Sequence, residues 1–252
     1  MEGITVSADA WFISLVVVLL ASAIQAVTGF GFALIAVPIL LVFLPAEVAV
    51  PSVMGISLAC LMLLALRSKT HTGGVRVCWL SLGAVVGIPF GAYALIHLDA
   101  QVIRLLVSVV TLVAAAYFAF GRKNVPVTQN ARVPSKLAYW ITGCLSGFLT
   151  ASVSMPGPPV ILALSGEGLP KREFRATSVT YFAIAYSLSF GVLLVSGTIT
   201  GQVLLTIASL IPVALLGNVL GDKAFDRVPQ GVFDKAVPLL LTLTAMSNIL
   251  RR

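Results

Sequence analysis

Three features of this sequence predict an all-α polytopic membrane protein made of two inverted-topology repeats, each a broken hairpin segment followed by three transmembrane helices. Apolar residues make up 59% of the 252 and charged residues only 10%, with a mean hydropathy of +1.06. Apolar runs of about 20 residues recur, each long enough for a hydrocarbon layer roughly 30 Å thick. Basic loops in one half of the chain face non-basic loops in the other, which sets the halves in opposite orientations. A water-soluble domain of this length needs far more polar surface.

In chain order the apolar segments are 11–44, 48–66, 77–96, 102–120, 137–165, 177–196, 202–221 and 236–250. The first contains Ala21-Ser22-Ala23, which resembles a signal-peptidase site. No Lys or Arg precedes it and the apolar pattern runs on to Leu44, so the segment is read as part of the fold. The polar stretch 121–136 holds Arg122, Lys123, Arg132 and Lys136 with Pro126 and Pro134. It reads as a cytoplasmic linker between a first repeat, 1–120, and a second, 137–252.

Internal similarity supports the division. At an offset of 126, Thr28 meets Ser154, Gly31 meets Gly157 and Ile35 meets Ile161. At 125, Pro45 meets Pro170 and Ser52 meets Thr177; at 130, Gly87 meets Gly217 and Gly91 meets Gly221. Loop charge then orients the copies. Segment 67–76 carries Arg67, Lys69, His71 and Arg76, whereas its counterpart 197–201 carries no charge. Segment 170–175 carries Lys171, Arg172, Glu173 and Arg175, against Glu47 alone in 44–47. Inverted copies require 11–44 and 137–165 each to enter the membrane and return, as two short helices. The basic segments 67–76, 121–136, 166–176 and 222–235 then share the inner side, while Arg251 and Arg252 end outside, against the rule.

The two hairpin segments carry the least helix-like sequence at membrane depth. One reads Gln25-Ala-Val-Thr28-Gly29-Phe-Gly31-Phe, followed by Pro38; the other reads Thr150-Ala-Ser152-Val-Ser154-Met-Pro156-Gly157-Pro158-Pro159. Gly and Pro break helices, and the freed backbone groups must be buried in protein or line a wet cavity. A helix restarting at such a break points bare N–H groups and a partial positive charge at the centre, which suits an oxyanion. Gln25, Thr28, Gly29, Gly31, Ser152, Ser154 and Gly157 are therefore candidate substrate-binding residues. Close helix packing by small residues is the competing reading, and it is preferred for Gly83, Gly87 and Gly91. Ser52 and Thr177 follow the two hairpins at matching places and join the candidates. Arg175 either snorkels to headgroups or draws an anion to the cytoplasmic mouth.

Other chemistry is excluded or unsupported. No Asp or Glu falls in mid-span, so a carboxylate relay is not visible; Glu47, Glu167 and Asp222 read as interfacial. Gly29-Phe-Gly31 lacks the third glycine and the strand of a dinucleotide fingerprint, and no P-loop is present. Cys60, Cys78 and Cys144 show no paired spacing and read as small buried apolar groups. His71 and His97 have no partner at metal-ligand spacing. The net charge of +7 sits in loops and signals topology rather than nucleic-acid binding. Expected partners are a small anion and membrane lipid, with no cofactor; a homo-oligomer is left open.

The motif from Thr28-Gly-Phe-Gly-Phe to Pro38 resembles the opening motif of the TauE/SafE sulfite-exporter family, and Ser146 to Pro159 is similar to that family's mid-chain motif. The length, duplicated layout and basic centre fit as well, so the resemblance covers nearly the whole chain. Many members carry more glycines in the first motif, where this chain has Phe30 and Phe32. The resemblance implies an inner-membrane exporter of sulfite or of small organosulfur anions such as sulfonates, and not an enzyme.

Overall fold

A computed structural model describes residues 8–67, 73–116 and 134–225. Among them are nine helices and no strand: α1 (Ala8–Thr28), α2 (Phe32–Leu40), α3 (Ala46–Arg67), α4 (Gly74–His97), α5 (Ala100–Ala116), α6 (Lys136–Val153), α7 (Gly157–Ser165), α8 (Lys171–Val195) and α9 (Gly201–Ala224). Five of them, α1, α3, α4, α8 and α9, are long and apolar enough to cross a membrane. The predicted span 236–250, most of the linker 121–136, His71, and Arg251 and Arg252 lie outside the described residues.

The opening segment differs from the two short arms expected of it. α1 has 21 residues and α2 only 9, which makes them about 31 Å and 14 Å long at 1.5 Å per residue. Nothing between Trp11 and Val27 is Gly or Pro, so the helix runs on until Gly29. The second hairpin is closer to expectation: α6 has 18 residues and α7 has 9. Its return is fixed by Tyr139, near the start of α6, whose hydroxyl donates to Glu167 just past α7.

Two helix pairs touch backbone to backbone. Along α4, a Cβ added to Gly87 would lie 1.9 Å from the Cys144 carbonyl oxygen of α6, and one on Gly143 of α6 would lie 2.0 Å from that of Leu80. Along α9, a Cβ on Gly217 would lie 2.3 Å from the Leu19 oxygen of α1, and one on Gly221 2.2 Å from that of Ala23. In each pair the residue numbers rise together, so the helices run parallel. Membrane helices lack a hydrophobic driving force toward one another, and such close approach supplies dispersion contact in its place.

One end of the bundle collects the charge. Arg76 Nε lies 2.7 Å from Glu167 and its Nη1 lies 2.9 Å from Glu173. Arg175 pairs with Asp222 at 2.6 Å, and Arg67 approaches the same carboxylate at 3.8 Å. Lys171 donates to the Phe225 carbonyl, and the Gly73 N–H donates to Thr177. Helices α3, α7 and α9 therefore end here, while α4, α6 and α8 begin here. Away from this end the described charged residues are Asp9, Glu47, Asp99 and Arg104. Glu167 was read as interfacial, yet its side chain is only 1% exposed; it is tolerated inside because Arg76 and Tyr139 both bond it.

The seams set a test. Gly87→Val and Gly217→Val should each destabilise the protein by about 2 kcal/mol or more, because the new methyls meet backbone that cannot yield. Gly191→Ala, which meets nothing within 4 Å, should not. Thermal unfolding of the purified variants in detergent measures the difference.

Candidate functional site

The first break is built by Thr28. Its Oγ1 lies 2.8 Å from the Ile24 carbonyl oxygen and 2.6 Å from that of Phe30, and it accepts the Phe30 N–H. The chain then turns through Gly29 (φ +85°) and Gly31 (φ +99°), conformations that a side chain would strain. α2 starts at Phe32 with Gly31 as its N-cap and no side-chain cap. The first-turn amides of Phe32, Ala33 and Leu34 thus have no carbonyl within the helix to bond.

The second break uses different chemistry. Ser154 ends α6 in the left-handed region at φ +60°, its N–H bonded to the Thr150 carbonyl. Two carbonyls freed by the break are tied off by hydroxyls: Tyr186 donates to Ser154 O at 2.7 Å, and Ser146 donates to Pro156 O at 2.8 Å. α7 starts at Gly157 without a side-chain cap. Pro158 and Pro159 have no N–H, so Gly157 is the one amide donor among its first three residues.

The two breaks meet. A narrow, partly open crevice, with room inside for about one water-sized guest, is lined by Gln25, Phe30 and Gly31 with the first turn of α2, by Met155, Pro156 and Gly157, and by Phe182 and Tyr186 of α8. The Ser154 and Pro156 carbonyls accept hydroxyls, the Gln25 Oε1 is without a partner, and the α2 amides are bare. The first turns of α2 and α7 turn the positive ends of two helix dipoles toward the same place.

Of the residues expected at the site, Gln25, Gly31 and Gly157 line this cavity. Thr28, Gly29 and Ser154 shape its breaks. Ser152 bonds back to the Phe148 carbonyl at 2.7 Å, and Ser52 is buried on α3 with no partner for its hydroxyl. Arg175 and Thr177 sit at the charged end instead. Arg175 is held by Asp222, lies 4.2 Å over the Phe225 ring and packs against Gly29; Thr177 accepts the Gly73 N–H at 3.3 Å.

Sequence reasoning missed Phe182, Tyr186 and Ser146. Tyr181 and Tyr186 are the hydroxyl-bearing aromatics of the span 177–196, and a buried Tyr needs a partner for its O–H. That requirement was the available signal. Cys60 is buried as expected, whereas Cys78 is exposed on the outer face of α4 and Cys144 is half-buried. His97 stacks on Tyr93 with ring centroids 4.1 Å apart. No three His, Cys, Asp or Glu residues cluster as a metal site among the described residues.

Comparison with known proteins gives one match. The family described as "Sulfite exporter TauE/SafE" matches residues 14–247, nearly the whole chain. The chain belongs to that family, and with its five long apolar helices it is a multi-pass membrane protein. No curated protein and no solved structure matches it.

Tyr186→Phe tests the tie on the second break. It leaves the buried Ser154 carbonyl without a donor, at a cost of about 1–3 kcal/mol. Thermal unfolding should register that loss, whereas Ser187→Ala, which removes a local bond to the Ala183 carbonyl, should change little.

Proposed function

We propose that this member of the sulfite exporter TauE/SafE family is a secondary transporter that exports a small sulfur-containing anion, sulfite or an organosulfonate, by alternating access across the inner membrane. The observation that carries the reading is the cavity where both chain breaks meet, with carbonyls tied off and the α2 amides left bare. A pyramidal or tetrahedral oxyanion suits such a lining, because several backbone N–H groups can share its charge. Gln25, Gly31 and Gly157 then contact the anion directly. Thr28, Gly29, Ser152 and Ser154 hold the breaks in shape, and Ser52, Arg175 and Thr177 serve the path between cavity and charged end.

Alternating access around a fixed site is what an inverted repeat provides. Three observations support that arrangement here. Gly87 and Gly91 align in sequence with Gly217 and Gly221, and both pairs press on the hairpin helix of the opposite half. The matched helices α3 and α8 run in opposite directions, as do α4 and α9, and α1 and α6. Apart from Arg104, the described Lys and Arg residues gather at one end, which the positive-inside rule assigns to the cytoplasm. Export of an anion then follows an inside-negative potential, worth roughly 2.3 kcal/mol per charge per 100 mV, with no buried acid needed for coupling.

Proteoliposomes loaded with labelled sulfite, small anionic taurine-like sulfonates or thiosulfate test the proposal. Protein-dependent efflux of at least one of these anions is expected; no flux of any anion would defeat it and favour a non-transporting membrane subunit. Gly157→Leu is the blocking variant, because a Cβ there meets only Phe30 at 3.9 Å and the larger side chain can enter the cavity without disturbing the fold. Flux should fall at least about tenfold, the loss of one well-placed contact to a charge. For orientation, single cysteines at Gly74 and Gly201, both on open ground, in a chain cleared of its native cysteines, should label from opposite sides. Labelling from the same side would rule out inverted halves.

A further inference from the structure

Between the cavity and the charged end lies a seam of polar groups without partners. Asn218 of α9 and Ser178 of α8 are 0% exposed, and Gln25 of α1 is 2% exposed. Neither polar atom of Asn218, nor the Ser178 hydroxyl, nor the Gln25 Oε1 has a hydrogen-bond partner, and the Nε of Arg175 is buried in the same condition. A buried amide or hydroxyl left unpaired costs stability, so four such residues from three helices need an explanation. Because both ends of Asn218 are unsatisfied, turning its amide over does not remove the problem.

Their register places them at one level. Arg175, Asp222 and Gly29 touch at the charged end: Arg175 pairs with Asp222 and packs on Gly29. Asn218 is four residues before Asp222, Ser178 three after Arg175, and Gln25 four before Gly29. Residues three or four apart share a helix face and differ by about 5–6 Å in height. All three therefore lie one turn deeper than the Arg175–Asp222 pair. The same face of α8 continues from Arg175 through Ser178 to Phe182 and Tyr186, and the latter two line the cavity, as does Gln25.

We propose that Asn218, Ser178 and Arg175 Nε, with Gln25 as the link to the cavity, form a second anion subsite between the charged end and the chain breaks. It takes the same class of ligand as the cavity, a small oxyanion, and so rests on the transport reading. Charge decides for an anion over a cation. Arg67 and Arg175 share the single carboxylate of Asp222, which leaves one positive charge in surplus at this level. The donors within reach of an oxyanion are the Asn218 N–H₂, the Ser178 hydroxyl and the Arg175 Nε–H; the unpartnered Gln25 Oε1 and Asn218 Oδ1 are acceptors, which suit a protonated oxygen of the same ion or a water beside it. An ion resting there is drawn out of cytoplasmic water before it reaches the α2 amides.

Equilibrium dialysis of the detergent-purified protein against labelled sulfite tests this independently of flux. Wild type should bind two ions per chain, and Asn218→Leu, which keeps the side chain's size, should bind one. Ser178→Ala, a change small enough to preserve folding, should keep two ions with one of them weakened about tenfold. Asn218→Leu binding as many ions as wild type, or Ser178→Ala with unchanged affinities, would overturn the subsite and assign these groups to trapped water. Neither outcome touches the transport reading. Two-site binding with no flux of any of the tested anions from wild-type liposomes would instead defeat transport and leave the subsite standing; no bound sulfite at all would overturn the subsite, while flux of another anion would keep transport.

Discussion

Everything at the centre of this protein follows from the cost of an unpaired backbone group where water is scarce. Two helices stop in mid-bundle, and each stop frees carbonyls and amides that must be satisfied by something. Hydroxyls from Thr28, Ser146 and Tyr186 take up carbonyls. No side chain takes up the amides at the start of α2. The division of labour is electrostatic: break carbonyls are occupied and the α2 N–H groups are open, in a wall that holds no lysine or arginine, and this is what the proposed anion site rests on.

Much of the architecture was legible because the bilayer imposes length. Apolar runs located α3, α4, α8 and α9 to within a few residues, and the Gly and Pro clusters located both breaks. The alignment of Gly87 with Gly217 pointed to matched positions, each of which lies close against the backbone of the helix across its seam. Other features were hidden for identifiable reasons. α1 is unbroken to Thr28 because an apolar run carries no mark of where it should turn until a Gly or Pro appears. Arg175, read as a residue of the cytoplasmic mouth, lies at the charged end and also packs on Gly29 of the first break, whereas Thr177, expected to face the centre, accepts the Gly73 N–H at that end. Tyr186 reaches the second break from a different helix, thirty-two positions along the chain, and no local pattern records such a pairing. Glu167 looked interfacial because its burial depends on Arg76, ninety-one positions away.

The charged end does more than mark orientation. Arg76 joins the start of α4 to the end of the second hairpin and to the first turn of α8, while Asp222 joins the end of α9 to α3 and α8. Surface ion pairs contribute little individually, but a buried carboxylate such as Glu167 is strongly unfavourable once its partner is removed. These pairs therefore fix which helix ends meet.

The glycine seams also constrain how the molecule can be made. Each close contact joins an early helix to one from the other half, α4 to α6 and α1 to α9, and neither half contains its own partner. During synthesis the α1 surface at Leu19 and Ala23 lacks the helix it packs against until Gly217 and Gly221 have been made. Assembly is therefore governed by contacts of large sequence separation, which form late and slowly. The first half is a waiting intermediate rather than a finished unit, and a chain truncated before α9 leaves α1 without the helix it was shaped to meet.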